Sequence, residues 1–123
     1  MTHVTFAEIA QFRSQLTEHP AALQALDVIE DCEGDVEDAA IVLALQTGLE
    51  PDRTDRLLEG LAKRYRTLIC QETVKTQLFT GAIAAVVEIL AEEDALPAEL
   101  AAPVAIYAVK MGVTYFCQPP MGT

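Results

Sequence analysis

The stretch Leu57-Leu58-Glu59-Gly60-Leu61-Ala62-Lys63-Arg64-Tyr65-Arg66-Thr67-Leu68-Ile69 decides the fold class. Leu57, Leu58, Leu61, Tyr65, Leu68 and Ile69 fall at i, i+1, i+4, i+8, i+11 and i+12. That rhythm lays one apolar stripe along a helix of about three and a half turns. The charged residues between them form its other side. Glu59 stands four residues before Lys63, and Asp52 four before Arg56, the favourable order for ion pairs on one helix face.

The same period recurs upstream. Thr5-Phe6-Ala7-Glu8 fits a capping box, with Val4 and Ile9 at the staple positions, and Ile9, Phe12 and Leu16 follow at helical spacing. Pro20 suits the first turn of a second helix, whose apolar side is Leu23, Leu26 and Ile29. Gly34 is a left-handed stop and Asp35 a cap for a third helix. Ala39 to Leu45 is apolar all round, which predicts burial on most sides. Gly48 ends that helix, Leu49 is placed to fold back on it, and Glu50-Pro51-Asp52 reads as a linker.

Downstream, Val74, Thr76 and Leu78 alternate like a strand. Length and alanine content nevertheless favour helix from Thr73 onward through 82–91, irregular near Gly81. A short turn at 97–102, a helix from Pro103 to Met111, a stop at Gly112 and a last apolar piece at Val113–Cys117 complete the chain before a tail at 118–123. The expectation is all-α: six to seven helices in a single compact domain over residues 1–123. A loose likeness between 38–48 and 100–112 leaves an internal duplication open.

Composition excludes several functions. Nineteen acids stand against eight bases, a net charge of −11, which argues against gripping nucleic acid. With 22% charged and 51% apolar residues the chain is not intrinsically disordered. The run Ala82–Val87, extended by Ile89–Ala91, is broken by Glu88 and too short for a membrane span. No signal peptide is visible, so a cytoplasmic location is expected. Cys32, Cys70 and Cys117 are odd in number, widely spaced and without a CxxC pair. They suggest neither a disulfide framework nor a zinc knuckle, and each reads as a small core residue with a reduced thiol.

Catalytic chemistry is not visible. Ser14 lies mid-helix with no glycine-rich elbow, His3 is near the terminus, and His19 precedes Pro20 at a capping position. Glu88 and Glu92 share a face but have no neighbouring histidine, and no phosphate-cradling glycine motif occurs. Charge, by contrast, is uneven. Asp27, Glu30, Asp31, Glu33, Asp35, Glu37 and Asp38 crowd the junction of helices two and three. Placing Gly34 at the invariant glycine of an EF-hand puts Ile29 and Ala40 at ligand positions, so no metal is expected there. Arg53, Arg56, Lys63, Arg64 and Arg66 make a basic face on helix four. Arg53, Arg56 or Arg64 is expected to approach the acidic junction, whose remaining acids would face a basic protein partner.

Pro20 to Leu49, with Leu23, Leu26, Gly34-Asp35-Val36-Glu37, Ala39, Ala40 and Leu43, resembles the last two helices of a ubiquitin-associated three-helix domain. The resemblance covers about a quarter of the chain and implies a compact helical corner used for protein contacts. That family's binding loop has no counterpart in Leu16-Thr17-Glu18-His19, so ubiquitin binding is not implied.

The functional expectation is a non-enzymatic protein-interaction or regulatory module without a cofactor, acting as a homodimer. The helix at 82–91 and the piece with Tyr115 and Phe116 are the candidate self-contacts. A first alternative is a small-ligand or cofactor-binding helical domain, with Tyr65, Tyr107, Tyr115 and Phe116 lining a pocket. A second is an enzyme whose site the sequence does not display.

Overall fold

Thr5 opens the first helix by the expected chemistry. Its hydroxyl accepts the Glu8 amide at 3.1 Å, and a Glu8 carboxylate oxygen accepts the Thr5 amide at 2.9 Å. Val4 and Ile9 on either side are buried. This computed structural model describes residues 2–48, 57–93 and 96–118, and it is all-α. In order come α1 (Phe6–Gln15), α2 (Pro20–Asp31), α3 (Val36–Gln46), α4 (Leu57–Arg64), α5 (Arg66–Ile69), α6 (Glu72–Phe79), α7 (Ala84–Ala91), a 3-10 turn at Ala98–Leu100, α8 (Ala101–Met111) and α9 (Val113–Phe116). Among the described residues no strand forms, and an isolated antiparallel bridge joins His3 to Asp35.

Nine α-helices among the described residues stand where six to seven are expected, because the apolar stripes are interrupted. The stripe at 57–69 breaks at Tyr65 (φ −101°, ψ 13°). The ladder still crosses the break: the Tyr65 amide donates to Leu61 at 3.2 Å and the Ile69 amide to Tyr65 at 3.0 Å. Farther on, Gly81 turns left-handed (φ +84°) and separates α6 from α7. The side-chain amide of Gln15, in α1, holds that turn. Its Nε2 donates to the Gly81 carbonyl at 3.1 Å, and its Oε1 accepts the Ile83 amide at 2.9 Å.

At the centre lies α8. Ala101 to Ala108 are buried without exception, and the helix rests against α2, α3, α4, α7 and α9. Small side chains at 101, 102, 105 and 108 let neighbouring backbones approach on every side. Pro103 sits in the first turn, where its missing N–H is not needed. The third helix is less enclosed than its composition predicts. Ala39, Ala40, Leu43 and Ala44 are buried, but Val42 and Leu45 are exposed, because its neighbours α2, α4 and α8 cover only one side.

The cysteines require a correction. Cys70 and Cys117 form a disulfide with Cα atoms 5.7 Å apart, whereas Cys32 remains a free, half-buried thiol. The partners are 47 residues apart in sequence. They cap the C-termini of α5 and α9, and packing of α9 against α8 and α6 brings them together.

Candidate functional site

The acidic junction is built around a tight corner. Cys32 ends α2, and Glu33 (φ +58°) and Gly34 (φ +87°) both turn left-handed. Asp35 then caps α3, its carboxylate accepting the Asp38 amide at 3.0 Å. The chain's first residues are strapped across this corner. The Val4 amide donates to Gly34 at 3.0 Å, and the Val36 amide to Thr2 at 3.0 Å. Glu37 accepts the Thr2 amide at 2.6 Å and the Thr2 hydroxyl at 3.2 Å.

Among the described residues, the base that pairs with acids of this junction is Arg13 of α1. It bonds Asp27 at 2.7 Å and Glu30 at 3.3 Å. Arg53 and Arg56 lie outside the described residues. Among the described residues Arg64 makes no ion pair, and Lys63 binds Glu59 at 3.0 Å on its own helix. Asp31, Asp35 and Asp38 stand around the free thiol of Cys32. Burial first, then Asp38, Asp35 and Asp31, push the Cys32 thiol above its ordinary value, keeping it protonated. Ser14 donates to the Gln11 carbonyl at 2.6 Å within α1. His19 is the N-cap residue of α2, but its ring makes no cap bond and faces Glu88 at 3.4 Å. Among the described residues no three His, Cys, Asp or Glu converge as metal ligands.

A cleft opens on the other side of α8's last turns. It measures about 430 Å³ and is lined by Glu59 and Lys63 of α4, Arg66 of α5, Tyr107 and Met111 of α8, Tyr115 and Phe116 of α9, and Gln118. Tyr107 and Phe116 meet edge to face with centroids 6.4 Å apart, making an aromatic floor. Tyr115 is 68% exposed at the rim. A second hollow of about 370 Å³ flanks the same helix end, where Tyr107 and Met111 meet Thr2, His3, Glu37 and Lys110. Burial, then Glu59 and Glu37, raise the Tyr107 phenol above its ordinary value, so it stays a neutral hydrogen-bond donor.

Of the aromatics read from the sequence as pocket residues, Tyr107, Tyr115 and Phe116 line the cleft, while Tyr65 is absorbed into the core. Glu59, Lys63 and Arg66 were legible only as parts of a charged helix face, and Met111 carried no signal. Of the candidate self-contacts, Ile83, Val86, Val87, Leu90 and Phe116 are buried within the chain, Ile89 is half-buried, and Tyr115 is exposed. Among the described residues no helix is long and apolar enough to cross a membrane. No family model, curated protein or solved structure matches the chain.

Proposed function

We propose that the protein is a non-enzymatic interaction module whose contact site is the cleft between α4, α5 and α9. The cleft itself carries this reading. Two cations, Lys63 and Arg66, and one carboxylate, Glu59, border an aromatic floor in a chain of net charge −11. A locally cationic, aromatic hollow suits a partner segment that offers an acidic group beside an apolar or aromatic one. A second copy of the chain, itself strongly acidic, is such a partner, and we place the proposed homodimer contact at Tyr115. The setting we propose is the cytoplasm.

A second reading, small-ligand binding, is favoured by the cleft's volume, which lies within the range of small-molecule sites. The acidic corner facing a basic partner is a third arrangement that the same experiment separates. A photo-crosslinking side chain is placed at position 115 in one protein and at position 31 in another, in the native host. Macromolecular adducts from 115 are expected, and an adduct of twice the chain's mass identifies the homodimer. Adducts from 31 alone move the site to the acidic corner. None from either position removes the interaction reading and leaves the small ligand.

A further inference from the structure

We propose that the Cys70–Cys117 disulfide is a reducible clamp on α9, and through α9 on the wall of the cleft. Its functional consequence rests on the cleft being the binding site; its structural test does not. A helix of four residues cannot stand alone, since nucleation costs more than one turn returns. α9 is joined to α8 through Gly112, whose φ of +98° is a left-handed hinge that suits glycine. Beyond the hinge, Val113 and Phe116 reach the core and Cys117 is fastened to the end of α5. Tyr115 and Phe116, on this side of the cleft, therefore sit between a hinge and a covalent tie, and Gln118 directly follows the tie. The opposite side, Lys63 and Arg66, belongs to α4 and α5 and lies before the tie.

Both sulfur-bearing residues are half-buried, so a small dithiol can reach the bond. One thiolate of the dithiol attacks a disulfide sulfur, and the other sulfur leaves as a thiolate and takes up a proton. A mixed disulfide results. The second thiol of the reductant then attacks the reductant's own sulfur in that mixed disulfide. This frees the remaining cysteine as a thiol and the reductant as a cyclic disulfide. Two electrons and two protons have passed to the protein. The tie is then open, and α9 is held by non-covalent packing on α8 and α6, with Val113 and Phe116 buried.

The full chain is compared oxidised and in excess dithiothreitol, with mass spectrometry confirming the gain of two hydrogens. Amide exchange is followed at 113–117 and in α2 and α3, and the aromatic anion anilinonaphthalene sulfonate probes the cleft. Reduction is expected to speed exchange at 113–117 by about tenfold or more, to leave α2 and α3 protected, and to release the dye. The Cys70→Ser/Cys117→Ser variant should behave as the reduced protein without reductant. Unchanged exchange at 113–117, loss of protection throughout the chain, or failure of air-oxidised protein to hold the disulfide each overturns the clamp. Faster exchange with undiminished dye binding overturns its link to the cleft. An oxidised protein that binds no dye counts against the cleft reading, while the exchange arm still decides the clamp.

Discussion

Glu33 and Gly34 adopt the same left-handed backbone with opposite ease. A Cβ at Gly34 would run into the Val4 carbonyl oxygen, the atom next to the strap that closes the corner. Gly34→Ala should therefore destabilise by at least about 2 kcal/mol, measured by chemical denaturation. Glu33 bears a side chain at φ +58°. Glu33→Gly is expected to raise stability by about 0.5–1 kcal/mol, because relief of the left-handed conformation exceeds the added chain entropy; a loss of stability would contradict that. Gln15 is a third single-residue control point. Gln15→Ala strands the Ile83 amide and the Gly81 carbonyl, costing about 1–3 kcal/mol in the same assay. Arg13→Ala should cost no more than about 1 kcal/mol and less in high salt, since its pairs with Asp27 and Glu30 are partly exposed.

Between elements, Glu8 ties the start of α1 to the end of α8, its second carboxylate oxygen accepting from Lys110 at 2.9 Å. The Thr5 backbone amide, then the Lys110 hydrogen bond, hold its carboxyl below the ordinary value of 4.5. The unfolded chain takes up this proton first as pH falls, so the bond's contribution is present above that value and is lost through the lower folded one. Glu8→Gln should accordingly be less stable than the parent near neutrality, with the gap closing as acid is added. A gap independent of pH would refute the assignment. Helix starts and stops were legible at this scale because Thr5, Asp35, Gly34 and Gly48 act on their own neighbours. Partners chosen by packing were not. Nothing near Cys70 points to Cys117, nothing near Gln15 points to Gly81, and helical spacing cannot say that Tyr107 rather than Tyr65 borders the cleft. The aromatic trio of the cleft was therefore visible as residues but not as a place.

For the molecule as a whole, the buried face of α8 sets the tolerance of the core. Ala105→Leu should cost about 1–3 kcal/mol by overpacking a site enclosed on all sides. Sedimentation at tens of micromolar should return twice 13.3 kDa, and Tyr115→Glu should shift it to the single mass. A single-mass parent would exclude the homodimer.

The helix on which α2, α3, α4 and α7 rest is encoded at 101–111, after all four of them. A ribosome therefore releases most of the core-forming residues well before the element that covers them. α1, α2 and α3 have their strap and caps early, but their inner faces stay wet until Ala101–Ala108 emerge. Nascent chains halted before residue 100 should bind holdase chaperones and remain protease-sensitive, with protection arriving in one step once α8 has cleared the exit tunnel.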